Sequence, residues 1–131
     1  GSGNNIVIGG TGRDFLFGGS GQDILIGGTT SHDGNATALS GLLAEWNSGA
    51  DLDVRVRNLS NFSGTASGSR LNGSNYLQAT GSGQSVFNDS DRDLLFGGGS
   101  MDWLFFKQSQ DIGFGTIGDL LGDDLDDLFT P

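Results

Sequence analysis

The chain has 131 residues, a formal net charge of −10, 25 glycines and no cysteine. That length supports one domain, and without cysteine neither disulfides nor a thiolate metal centre can form. Six scattered basic residues leave no nucleic-acid footprint, and no apolar run approaches the roughly 18 residues that cross a bilayer.

In chain order the first segment, GSGNNIVI (Gly1 to Ile8), is a degraded nonamer with Asn5 where an aspartate is expected. Two contiguous, better-formed blocks come next, GGTGRDFLF (Gly9 to Phe17) and GGSGQDILI (Gly18 to Ile26). Each reads Gly-Gly-x-Gly-x-Asp and then three apolar residues. The glycines open backbone angles closed to other residues, the aspartate offers a hard anionic oxygen suited to Ca²⁺, and the triplet predicts a short strand with Leu16 or Leu25 pointing inward. GGTTSHD starts correctly at Gly27 and Gly28, but His32 takes the acidic slot and Asp33 falls one place late.

An interruption runs from about Ser31 to Phe87. Asn35 or Asp33 can cap a helix over ATALSGLLAEWN, in which Ala36, Leu39, Leu42, Leu43 and Trp46 form one apolar face. Gly49 breaks it. Asp51 or Asp53 can cap LDVRVRNL, whose pattern fits a helix (Leu52, Val56, Leu59) or a strand (Leu52, Val54, Val56), with helix favoured. Residues 60–83 are rich in Ser, Gly, Asn and Thr, open to flexibility, with Leu71, Tyr76 and Leu77 as apolar anchors.

The nine-residue period then returns. NDSDRDLLF (Asn88 to Phe96) keeps Asp93, with Asn88, Asp89 and Asp91 in glycine slots, and GGGSMDWLF (Gly97 to Phe105) keeps Gly97, Gly98 and Asp102. In the tail, Leu120, Leu121, Leu125, Leu128 and Phe129 predict an amphipathic helix, with Asp119, Asp123, Asp124, Asp126 and Asp127 facing water.

Over Gly1 to Gly28 and Asn88 to Phe105 the chain resembles the RTX family, the calcium-dependent repeats of secreted bacterial toxins, proteases, lipases and surface proteins. The resemblance implies a mainly β fold, a right-handed parallel β-roll in which two nonamers make one turn. Here it would be interrupted by a helical and loop insertion and closed by a C-terminal capping segment. One domain is expected over 1–131, with repeats at 1–30 and 88–106, the insertion at 31–87, and a cap or export-signal-like tail at 107–131. The resemblance implies structural Ca²⁺ held by Asp14, Asp23, Asp93 and Asp102. Carbonyls of Gly9, Thr11, Gly18, Ser20, Gly10, Gly12, Gly19 and Gly21 would complete the shells, and Asn5, Asp33, Asp89 and Asp91 are weaker candidates. Five or six loops paired across one intervening repeat would hold about three to five ions.

Catalysis is not expected. His32 is the single histidine, which leaves a triad or a histidine zinc centre little to build on. Trp46 and Trp103 occupy apolar positions of their patterns and are expected in the core. The glycine runs lack the lysine of a phosphate loop, and nearly all the carboxylates lie in repeat loops or the tail. The expected function is calcium-dependent folding of a C-terminal module in a larger secreted or cell-surface bacterial protein, aiding type I-like secretion or display. The alternative is a calcium-dependent adhesive or carbohydrate-binding module that meets glycans or matrix through residues 60–83 or Trp46. A monomer is expected, with neither nucleic-acid binding nor membrane insertion. With no N-terminal signal peptide visible, export would use a signal elsewhere or one already removed.

Overall fold

A computed structural model describes residues 1–107, 109–114 and 120–121. Each apolar triplet forms a strand, and consecutive triplets fall alternately into two parallel sheets. Strands β1 (Ile6–Ile8), β3 (Ile24–Ile26), β7 (Trp103–Phe105) and β9 (Leu120–Leu121) make the first, in that order; β2 (Phe15–Gly19), β6 (Leu94–Gly98) and β8 (Ile112–Phe114) make the second. The registers state the period: Ile6 pairs with Ile24 and Leu94 with Ile112, each two nonamers apart.

The split repeats stack directly on one another. Phe15 pairs with Leu94 and Ile24 with Trp103, a separation of 79 rather than 18. The chain therefore carries 61 residues inserted between two coils that are neighbours in space. Thr29–Thr30 (β4) and Val86–Phe87 (β5) form an antiparallel neck where the insertion leaves and returns. Gly27 and Gly28 precede that neck and Asp93 follows it, so one repeat is divided. Joining Gly28 to Ser90 would restore GGSDRDLLF, a nonamer in phase with both neighbours.

Side-chain alternation sorts each triplet. Middle residues Leu16, Leu25, Leu95 and Leu104 are buried together between the sheets, with Val7 and Phe106 packed against them. The flanking residues of the first sheet, Ile24, Ile26, Trp103 and Phe105, are buried on its outer face beneath Leu42, Trp46, Val56, Leu59 and Leu77 of the insertion. On the second sheet that face is open: Phe15, Phe17 and Phe114 are exposed, and the Phe17, Phe96 and Phe114 rings stack at 5.0 and 4.8 Å.

The insertion contains the two expected helices. Asn35 caps α1 (Ala36–Trp46), its Oδ1 accepting the Ala38 N–H at 3.1 Å. The ambiguous second segment is helical, α2 (Leu52–Ser60), ending at Asn61 in the left-handed conformation. The buried face of α1 differs from the expected one: Ala38 and Glu45 lie inward with Leu42 and Trp46, whereas Ala36 and Leu43 are exposed. Glu45 is turned inward because Asn58 Nδ2–H and the Leu71 N–H donate to its two oxygens at 2.8 and 3.0 Å. Residues 60–83 are irregular but pinned. Buried Asn72 donates to the Asn58 and Asn75 carbonyls at 2.9 and 2.7 Å, and the Leu77 N–H bonds the Leu59 carbonyl at 2.7 Å. Of the expected anchors there, Leu77 is buried, but Leu71 is exposed and holds only through its backbone. The amphipathic helix expected to begin with Leu120 and Leu121 does not start there: both lie in β9, paired with Trp103 and Leu104 as the next strand of the first sheet, and Leu125, Leu128 and Phe129 lie outside the described residues.

Candidate metal centre

The turns before the strands form two rows. Turns at residues 1–5, 18–23 and 97–102 lead into β1, β3 and β7; those at 9–14, 27–28 with 89–93, and 106–107 with 109–111 lead into β2, β6 and β8. Backbone geometry repeats along both. The second and fourth positions are left-handed at Gly10 and Gly12 (φ 95° and 100°) and at Gly19 and Gly21 (φ 106° and 103°). Ser100 takes the same left-handed form, φ 73°, in the slot where a glycine is missing, so the turn survives the change of residue.

At the sixth position the carboxylates build ladders. Asp23 Oδ1 accepts the Asn5 N–H at 2.8 Å, and Asp102 Oδ1 accepts the Asp23 N–H at 2.8 Å. In the other row Asp93 Oδ1 accepts the Asp14 N–H at 2.9 Å, and Asp111 Oδ1 accepts the Asp93 N–H at 3.1 Å. The second oxygens differ. Oδ2 of Asp14, Asp23 and Asp93 is buried with no hydrogen-bond partner. An anionic oxygen taken out of water without a partner costs several kcal/mol, on the order of the penalty for a buried charge.

Oδ2 of Asp14 and of Asp23 each share a cradle with a backbone carbonyl. A Cβ built on Gly9 would meet Asp14 Oδ2 at 2.7 Å and the Gly27 carbonyl at 3.0 Å; on Gly18, Asp23 Oδ2 and the Gly97 carbonyl would both lie at 2.5 Å. On Gly27 the atom met is Asp93 Oδ2, at 3.0 Å. Gly27 therefore holds the first position in the repeat of Asp93, in place of Asn88. Asp102 Oδ2 bears on Gly97 in the same way. The first position must be glycine because any side chain would fill the space between these oxygens.

Asn5 sits at the head of the first row, where its Nδ2–H also donates to Asp23 Oδ1 at 2.9 Å. The Gly18 and Gly19 carbonyls accept the Gly1 amino group and the Gly99 N–H at 2.7 and 2.9 Å, while Thr11 and Ser20 stand exposed at their turn tips. Asp89, placed where a glycine was expected, keeps φ outside the left-handed region and bonds the Gly12 N–H through Oδ2 at 2.8 Å. Its Oδ1 accepts the Asp91 N–H at 3.0 Å. Asp33 lies away from both rows, its carboxylate accepting the Thr30 N–H and hydroxyl at 3.1 and 2.6 Å. His32 is structural, Nε2 meeting the Tyr76 carbonyl at 2.8 Å. Trp46 and Trp103 are fully buried, so Trp46 offers no surface to a sugar.

Asp111 belongs to the site without being marked in the sequence. Its block, Phe106 to Phe114, retains only the aspartate and two outward apolar residues of the nonamer. Both of its oxygens are engaged, Oδ2 by the Lys107 N–H at 2.9 Å. The second row thus gathers Asp14, Asp89, Asp93 and Asp111. Desolvation first, then the charges of Asp111, Asp89 and Asp14, raise the Asp93 carboxyl from 3.8 to about 6, against the lowering effect of the Asp14 N–H.

Among the described residues no three acidic, histidine or cysteine side chains converge as a metal cluster. The sixth position supplies one carboxylate in every turn but the first, where Asn5 stands, and carbonyls must complete any shell. Such an oxygen-only set suits a hard cation of large, flexible coordination number and does not suit zinc. Orphaned carboxylate oxygens beside carbonyl-lined cradles fit calcium.

No helix of the described residues is long and apolar enough to cross a membrane. No curated protein and no solved structure matches the chain. Residues 1–29 match the family model of the RTX calcium-binding nonapeptide repeat, in four copies. Residues 1–29 thus carry the RTX repeat pattern, and that repeat family implies calcium binding.

Proposed function

We propose that this is a calcium-folded, non-catalytic module of a secreted or cell-surface bacterial protein, in which the two sheets form a right-handed parallel β-roll. The buried Oδ2 atoms of Asp14, Asp23 and Asp93 carry this reading. They leave in these three turns a charge that the protein itself does not compensate. The strand register of two nonamers and the placement of RTX repeats in typically secreted proteins support it.

Calcium supplies double positive charge and a preference for many oxygen ligands. The chain's own residues do the rest. Asp14, Asp23, Asp93 and Asp102 present carboxylate oxygens, the left-handed glycines aim carbonyls into the turns, and the leucine row between the sheets aligns successive turns. Extracellular-type sites have dissociation constants of roughly 0.1 to 1 mM, so the module would fold outside the cell and stay loose in a low-calcium cytosol. A hundredfold ligand excess adds about 2.7 kcal/mol per independent site. This timing suits export as an unfolded chain by a type I-like route, with the tail after Leu121 as cap or signal.

The test fuses the chain to the C-terminus of a reporter enzyme. Calcium-dependent protease resistance of the fused module, with reporter turnover unchanged, is the expected result. A module equally resistant in chelator and in millimolar calcium would remove the proposal. Calcium-dependent retention on a glycan array would favour the adhesive alternative.

A further inference from the structure

The insertion holds one row of turns directly. Trp46, at the end of α1, donates its Nε1–H to the Gln22 carbonyl at 2.7 Å. Arg55, buried on α2, donates Nη2–H to Gln22 Oε1 at 2.7 Å, Nη1–H to the Trp46 carbonyl at 3.1 Å and Nε–H to the Ala50 carbonyl at 2.7 Å. Its guanidinium lies 4.6 Å from the centre of a Trp46 ring. Gln22 is the fifth residue of its repeat and immediately precedes Asp23. Its N–H donates to Asn4 Oδ1 at 2.8 Å, and Asn47 Nδ2–H on the far side reaches the Asn4 carbonyl at 3.3 Å. Both turns 1–5 and 18–23 are therefore tied to the helical segment. In the second row the fifth-position residues Arg13 and Arg92 are exposed instead.

We propose that Trp46 and Arg55 are positioning residues for calcium at the 18–23 turn, acting through Gln22. Resting on the calcium reading above, this makes the first row a set of sites preorganised by the helices of the insertion, whereas the insertion reaches the second row through Asp89, which accepts the Gly12 N–H. Gln22 is gripped at both its carbonyl and its side chain, which fixes the peptide leading into Asp23 and hence the aim of Oδ2. Linkage is reciprocal: calcium in the first row tightens the insertion, and the folded insertion tightens calcium.

The experiment is calorimetric titration of calcium into the full, chelator-stripped chain, with tryptophan fluorescence followed in parallel. Arg55→Lys keeps the charge but cannot span three acceptors. Gln22→Ala removes one acceptor from a half-buried surface position and leaves the helices' packing intact. Each should weaken one class of sites about tenfold, the worth of a charged buried hydrogen bond, and leave the remaining sites unchanged. The double variant should be no weaker than either single one, because both changes break the same bond. Unaltered calcium affinities in both variants, with only a less stable insertion, would overturn the proposal while leaving calcium binding intact. Absence of calcium uptake by the parent chain would overturn both.

Discussion

In Asp23 and Asp93 the sixth-position carboxylate divides its oxygens between two tasks. Oδ1 accepts a backbone N–H from the neighbouring coil, and Oδ2 of Asp14, Asp23 and Asp93 faces a cradle with no protein donor. Asp14→Asn with Asp23→Asn keeps the shape and removes the charge, so the calcium midpoint of the folding transition should rise at least about tenfold, as loss of charge-assisted ligands implies. Circular dichroism against free calcium measures it, and an unmoved midpoint would show that these oxygens are not ligands. Gly18→Ala should also raise the midpoint, since the added methyl would press on Asp23 Oδ2 and the Gly97 carbonyl. The second row adds a pH dependence. Asp93 titrates at about 6 in the metal-free fold against 3.8 ordinarily, so its ionised form opposes folding above pH 6 and that opposition fades as pH falls toward 4. Acidifying the chelated chain from pH 7 to 5 should therefore increase its β signal, and Asp93→Asn should flatten the change. At this scale the ladder positions of Asp14, Asp23, Asp93 and Asp102 were legible from the nine-residue spacing. Asp111 was not, because Phe106, Lys107 and Ser109 stand where its glycines would be.

Elements obey the same repeat with local substitutions. Leu16, Leu25, Leu95 and Leu104 fill the space between sheets, and Leu25→Ala should cost about 2–5 kcal/mol in calcium-saturated unfolding by denaturant, the usual range for a buried leucine. A loss below the range of surface changes would mean the row is not packed. In β8 the middle slot is Gly113, and the Phe106 ring occupies the place a Cβ would take. That exchange of a local side chain for one seven residues earlier hid the block from pattern reading. The helices were legible from their three- and four-residue spacing, although the inward turn of Glu45 depends on Asn58 and Leu71 and could not be read from α1 alone. The point of insertion was hidden for a related reason: Gly27 completes a turn whose aspartate lies beyond the helices, and only the strand register joins them. Deleting residues 29–89 should leave a calcium-dependent β transition and abolish the helical signal. The variant should also self-associate, because Ile24, Ile26, Trp103 and Phe105 lose their cover. Sedimentation and far-ultraviolet dichroism read both effects, and a deleted chain that shows no calcium response would argue against a divided repeat.

The whole molecule combines a high negative charge with little internal compensation. Its formal charge is −10, and the Asp53–Arg57 pair at 3.4 Å is an exposed contact of small worth. Twenty-five glycines raise the conformational entropy lost on ordering, while carboxylates accumulate along two rows. The leucine row and the helical cover stabilise the stack, but neither removes the repulsion within the turns. On the proposed reading, bound calcium does. The most direct measurement is a calcium titration of the chelated, full-length chain followed by circular dichroism and heat of binding together. A coil-to-β transition coinciding with uptake of several calcium ions, and scarcely induced by magnesium, is the expected outcome; a chain already compact in chelator and taking up no calcium would refute metal-driven folding.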